Sequence, residues 1–153
     1  NYVYAYPLIK QYGVKIVVSP VGSYTDRDTN GDANHANYSY LTWDQIREMA
    51  DSGLVEFQNH TYNLHGSRGR VGAQKLGRES DAGCEPTAFV YPFGELSKAS
   101  LPVLRELGFR ASMTCEEKMN WITRDPECLF GMGRFLRPEG LSSEAYFKKI
   151  GVL

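Results

Sequence analysis

Leu54-Val55-Glu56-Phe57-Gln58-Asn59-His60-Thr61-Tyr62-Asn63-Leu64-His65 is the stretch on which the reading of this chain turns. Its first six residues alternate apolar and polar, the pattern of a half-buried strand. Two histidines follow, five positions apart. At about 3.6 residues per turn, a helix would rotate them roughly 140° out of alignment. On a continuous strand an odd separation puts them on opposite faces. They can meet only if the backbone leaves regular structure between them. That places His60 at the C-terminal end of a strand and His65 on the loop beyond, where α/β enzymes carry their chemistry. A pair of metal-ligating imidazoles is the sharp reading, and two hydrogen-bonded structural histidines the plain one. Only three histidines occur in the chain, so two of them within six residues favours the first. Thr61 can brace the intervening loop through its hydroxyl.

Outward from this stretch the chain reads as alternating strands and helices. Tyr2, Tyr6, Leu8, Ile9 and Tyr12 recur at helical spacing before Gly13. Val14 to Val18 is β-branched and predicts a strand buried on both faces. A polar loop is expected from Gly22 to Leu41, then a helix from Trp43 to Ser52 capped by Thr42, with Ile46, Met49 and Ala50 inward. Thr87–Tyr91 predicts a strand, Tyr91-Pro92-Phe93-Gly94 a turn, and Leu96–Leu107 a helix with Leu101, Val103, Leu104 and Leu107 on its apolar side. Phe109–Thr114 predicts a further strand. A last amphipathic helix should start at Ser142 or Ser143 and carry Ala145, Tyr146, Phe147 and Ile150. This alternation implies a parallel sheet, open or closed into a barrel. Gly66 to Gly83 breaks the rhythm, lacking the helix that joins parallel strands. Either it is a long ordered loop or residues are missing around Ala82-Gly83, and the second is the expectation.

At 153 residues the chain suits one domain with its own core. A net charge of −1 gives no reason to expect nucleic acid or an anionic membrane surface as partner. No apolar run approaches the about 20 residues of a membrane-spanning helix. Cys84, Cys115 and Cys128 have no metal spacing and leave the redox compartment open. The chain is expected to act as a monomer. Asp26-Arg27-Asp28-Thr29-Asn30-Gly31-Asp32 imitates half a calcium loop, but Asn37 stands where a bidentate Glu is needed, so an Asx-turn-rich loop is expected, with His35 an ordinary surface histidine. Tyr24, Tyr38, Tyr40 and Trp43 could stack on sugar or merely pack a helix. Cys115-Glu116-Glu117 could lend a carboxylate to the site or form a solvated turn.

In order along the chain, these pieces resemble the NodB-type polysaccharide deacetylases of carbohydrate esterase family 4. Glu56 to His65 looks like that family's His-(Ser/Thr)-…-His motif, with one extra residue before the second histidine. Phe89-Val90-Tyr91-Pro92-Phe93-Gly94 resembles its Pro-aromatic-Gly turn, and Leu101 to Ser112 the helix and strand that follow it. Tyr6 to Gly22 is similar to the stretch after its first motif. The resemblance implies a distorted (β/α) barrel and a divalent metal, zinc or else Co²⁺, Ni²⁺ or Fe²⁺. It implies hydrolysis of N-acetyl groups from an amino-sugar polymer of the peptidoglycan, chitin or poly-N-acetylglucosamine kind, at the cell envelope or outside the cell. Carried over, His60 and His65 would be metal ligands and Thr61 loop support. The Phe93 backbone N–H would stabilise the oxyanion, with Tyr91, Pro92 and Tyr62 along the substrate groove.

The chain also departs from that family. The Asp-Asp motif that supplies the catalytic base and third ligand is absent. It is expected upstream of Asn1 on a missing first strand, without which the chain would be nearly inactive. Val90 stands where an arginine opens the third motif, and no histidine follows Cys128 to act as the late acid. Met119-Asn120-Trp121 falls where a carboxylate-Trp motif is expected, and Arg134 or Arg137 could replace the lost cation. Two rivals follow: a glycan-binding relative without turnover, and a metal hydrolase of C–N bonds in small molecules.

Overall fold

The computed structural model describes residues 1–31, 39–66 and 86–152. Helix α1 (Ala5–Tyr12) ends at Gly13 and leads to strand β1 (Ile16–Val18). Helices α2 (Gly22–Thr29) and α3 (Trp43–Asp51) precede strand β2 (Val55–Phe57). Among the described residues, strand β3 (Ala88–Val90), helix α4 (Leu101–Glu106), strand β4 (Ala111–Met113) and helix α5 (Ser143–Lys149) complete the regular elements.

Among the described residues, all the strand pairings are parallel. β1 pairs with β2, Val17 opposite Glu56, and β3 with β4, Phe89 opposite Ser112. A parallel bridge between Asn59 and Phe89 links the two pairs, and another sets Met132 beside Met113. The junction after β2 is made by side chains as well as backbone. The Gln58 amide oxygen accepts the Ala88 N–H at 2.7 Å, and Asn59 accepts the Thr61 N–H at 2.8 Å. Both residues are buried, where an unmatched amide would cost more than the hydrogen bonds return.

Two apolar clusters hold the layers together. Tyr6, Leu41, Ile46, Met49 and Val55 pack α1 and α3 onto the first strand pair. Leu64, Phe89, Tyr91, Leu104 and Phe109 pack α4 onto the second. α3 starts as its sequence predicts, Thr42 and Gln45 forming a reciprocal capping box.

Several expectations are corrected. Val17 is 59% exposed and Val14 is exposed too, because helices cover only the Ile16 and Val18 face of β1. Most of the segment expected to be a polar loop after Gly22 is α2. Its residues have weak helix propensity, but the first N–H groups of the helix are satisfied from outside. Gly22 donates to the Thr61 carbonyl at 3.2 Å and Ser23 to that of Tyr62 at 2.7 Å. A calcium loop is thereby excluded, since Asp26 and Asp28 sit on a helix and bind protein groups. Ala50 and Leu107 are exposed, and α5 has no buried residue. The helix expected from Leu96 begins as a short 3₁₀ turn, Lys98–Ser100, before Leu101. The expected gap near Ala82-Gly83, His35, Tyr38 and Cys84 lie outside the described residues.

Candidate active site

The parallel arrangement sends the C-terminal ends of β2, β3 and β4 to one edge, and that edge collects the chemistry. His60 follows Asn59 directly. Thr61 takes a positive φ of 67°, which turns the chain out of strand geometry. A β-branched residue is strained there, at about 1–3 kcal/mol. The strain is held by three contacts: the Thr61 N–H on Asn59, its hydroxyl accepting the Leu64 N–H at 3.1 Å, and its carbonyl on Gly22. Leu64 is buried in the second core and anchors the short 3₁₀ turn Leu64–Gly66 that carries His65.

The result brings the two imidazoles together, ring centroids 5.0 Å apart. His60 Nδ1 lies 2.7 Å from the Val90 carbonyl oxygen. A carbonyl only accepts, so Nδ1 carries the hydrogen and Nε2 presents its lone pair. Burial pushes the His60 pKa below its ordinary value, and the charges of His65 and Arg134 push it the same way against the Val90 hydrogen bond. A neutral imidazole fixed by a backbone carbonyl on its other nitrogen is the usual dress of a metal ligand. Among the described residues, no group of three His, Cys, Asp or Glu is placed to hold a metal ion. Two converging imidazoles, one with Nε2 left to accept, are a donor set that suits two positions of a divalent site.

Phe93 faces His65, ring centroids 4.7 Å apart. It lies in the Pro92–Gly94 turn at φ 58°, ψ 7°, and the residue is 54% exposed. Tyr91 and Pro92, expected along the groove, are instead buried. The Tyr91 ring belongs to the second core and its hydroxyl lies 2.6 Å from that of Ser100, with burial raising its pKa. An aromatic residue at a strand end that also packs against α4 has no face left for ligand. Tyr62 is partly exposed, but its hydroxyl donates to Asp26 at 2.6 Å and its ring lies against Gly22. Tyr62 thus ties α2 to the histidine loop.

Sequence reasoning missed the partner in that tie. Asp26 accepts from Tyr62 and, at 2.7 Å, from the Trp43 indole N–H, and these two bonds lower its pKa. Asp28 is buried and accepts the Tyr40 N–H at 2.7 Å. The aspartates were legible as oxygen ligands, but nothing in their spacing named protein donors. Tyr24 packs on Tyr40 at 4.5 Å and meets the edge of His65 at 6.4 Å. Val18, Pro20, Tyr24, Tyr40, His60 and His65 are among the residues lining a cleft of about 270 Å³. Trp121 is fully out in solvent, and Asn120 instead clasps the Gly133 backbone. Glu116 pairs with Lys118, and Glu117 with Lys149.

A parallel α/β sheet with paired histidines at its C-terminal edge defines a class, and comparison supports it. The chain belongs to the polysaccharide deacetylase family, whose pattern matches residues 1–112. It is 25% identical over 131 residues to a poly-β-1,6-N-acetyl-D-glucosamine N-deacetylase of Staphylococcus aureus, a match covering 74% of this chain and 43% of that protein. It is 26% identical to the Escherichia coli K12 protein of the same name, covering 75% of this chain and 23% of that one. The solved de-N-acetylase from Aggregatibacter actinomycetemcomitans superposes with a TM-score of 0.75 at 26% identity, covering 99% of this chain and 70% of that one. The chain thus spans less than half the length of the curated relatives it matches. No described helix is long and apolar enough to cross a membrane.

Proposed function

We propose that this chain forms the core of a metal-dependent deacetylase that removes N-acetyl groups from an amino-sugar polysaccharide, with poly-β-1,6-N-acetylglucosamine the first substrate to try. The observation that carries the reading is the His60–His65 pair: two imidazoles converge, one with its tautomer fixed by the Val90 carbonyl, beside the Phe93 turn. The family implies a distorted (β/α) barrel around this edge. Polymers of this kind lie outside the cytoplasm, so the cell envelope or exterior is the expected place of action.

His60 Nε2 and the His65 ring would hold the cation. Zinc is the first candidate, and Co²⁺, Ni²⁺ or Fe²⁺ the alternatives. Once bound, the cation would supply an acidified water and polarise the amide carbonyl. The remaining work belongs to the chain. Thr61, Leu64 and the Tyr62–Asp26 tie keep the two rings converged. The Phe93 backbone N–H would meet the oxygen on which negative charge develops, a contribution of about 3–4 kcal/mol where such donors have been removed. The Phe93 ring, tilted against His65, would cover one side of that imidazole.

The test is acetate release from β-1,6-linked N-acetylglucosamine oligomers by the full-length protein. Turnover should vanish on chelation, return with zinc, and be absent in His60→Ala. Glycan binding without acetate release would favour the non-catalytic rival. Turnover that survives both chelation and the substitution would defeat the proposal.

A further inference from the structure

We infer that the hydroxyls of Tyr91 and Ser100 form a latch across the neck of the loop that carries Phe93, and that both are positioning residues for the Phe93 N–H. The inference rests on the deacetylase reading, which gives that N–H its task. Tyr91 follows β3 and Ser100 stands just before α4. Their hydroxyl oxygens are 2.6 Å apart and join positions nine residues apart in the chain. The Pro92–Gly94 turn lies between them. Tyr91 is also fixed by its backbone: its N–H donates to Met113 on β4, and its carbonyl accepts the Gly94 N–H, both at 3.0 Å.

The direction of the hydrogen bonds follows from the acceptors. The Ser97 carbonyl only accepts, so the single Ser100 hydroxyl hydrogen goes to it, at 2.6 Å. Ser100 Oγ is therefore the acceptor and the Tyr91 hydroxyl the donor. Both residues are buried, Ser100 wholly, where a hydroxyl deprived of its partner is costly. Ser100 is moreover the N-cap of α4, a position at which a serine side chain ordinarily accepts from a helix N–H. Here it makes no such bond. The hydroxyl that would start the helix is turned to Tyr91 and Ser97 instead.

What the latch restrains is strained backbone. Phe93 has φ 58°, a left-handed conformation that a bulky residue keeps only where its surroundings over-determine it. Cys115 stops the turn on one side, since a Cβ on Gly94 would lie 2.4 Å from its backbone nitrogen. The return of the chain toward α4 is held by the Tyr91–Ser100 bond. A donor aimed at developing charge is effective when it is fixed beforehand and needs no reorganisation during the reaction.

Steady-state kinetics and amide hydrogen exchange of the full-length protein with Tyr91→Phe, Ser100→Ala and both together test the latch. Met49→Ala, in the first apolar cluster, is the control that destabilises without touching the turn. Each single variant should lower kcat per folded molecule about tenfold with KM nearly unchanged, a fraction of the roughly hundredfold or more lost with an oxyanion donor. The double variant should lose no more than either single one, because the bond is shared. Exchange of the Gly94 amide should quicken about three- to tenfold in each, as for the loss of one neutral hydrogen bond. Met49→Ala should lower the urea midpoint and leave kcat per folded molecule unchanged. In an enzyme that turns over, an unchanged kcat in Tyr91→Phe or Ser100→Ala, single losses that multiply in the double variant, or an equal fall in Met49→Ala overturns the inference while the deacetylase reading stands. If the wild type releases no acetate, that reading fails instead, and Gly94 exchange alone decides: faster exchange in the variants sustains the latch, and unchanged exchange overturns it.

Discussion

Gly94→Ala tests whether the Pro92–Gly94 turn is as tightly built as its geometry indicates. Gly94 has φ +72°, and an added Cβ would lie 2.4 Å from the Cys115 backbone nitrogen and 2.6 Å from its Cβ. The left-handed backbone costs an L-residue about 1–2 kcal/mol. Forcing β4's end away costs about 1–3 kcal/mol more, the usual range for overpacking. Neither neighbour is a flexible side-chain tip that could swing aside. The sum is about 2–5 kcal/mol, or a fall in Tm of roughly 4–20 °C for a chain of this size. Differential scanning calorimetry with a urea midpoint at unchanged m-value measures it. A Tm within about 2 °C of wild type would refute both the contact and the claim that the turn is rigid. Since Phe93 precedes the glycine, kcat should fall as well, with the proposed oxyanion donor displaced.

Two further outcomes follow from the core and from the tie between α2 and the histidine loop. Leu104 is wholly buried in the second cluster, so Leu104→Ala should cost about 2–5 kcal/mol by urea denaturation, whereas Leu107→Ala, exposed at the C-cap of that helix, should cost under about 1. Asp26 has a folded pKa below its unfolded one, so its stabilisation is complete above about pH 4 and lost as pH falls through the lowered value. The stability gap between wild type and Asp26→Asn should therefore be widest near neutrality and close in acid, and a gap independent of pH would mean that the Tyr62 and Trp43 contacts do not depend on its charge.

Much of the sheet was legible because its signals are local. The alternation Val55-Glu56-Phe57, the Thr42 cap and the stop at Gly108 each depend on residues a few positions apart, and the strand, the start of α3 and the end of α4 formed there. The histidine pair was legible for the same reason, five residues with one forced bend. α2 was not, because nothing within Gly22–Thr29 pays for a helix; its N-terminus is completed by carbonyls about forty residues on, at Thr61 and Tyr62. Val14–Val18 looked buried on both sides because β-branched composition says strand without saying how many faces are covered. Tyr91 misled in the opposite direction, since a motif position next to the chemistry was read as contact with ligand when the ring serves the core.

The contact that orients His60 comes from the Val90 carbonyl, at the very position where the related motif carries an arginine side chain. The histidine loop is likewise fastened to α2 by main-chain donors and acceptors. Side-chain replacement at Val90 leaves that oxygen in place, so a different apolar residue that fills the same buried space can stand at position 90 without unseating the ring it steers. Alanine scanning would pass over these fastenings in silence, and amide-to-ester replacement in a semisynthetic protein is the perturbation that would expose them.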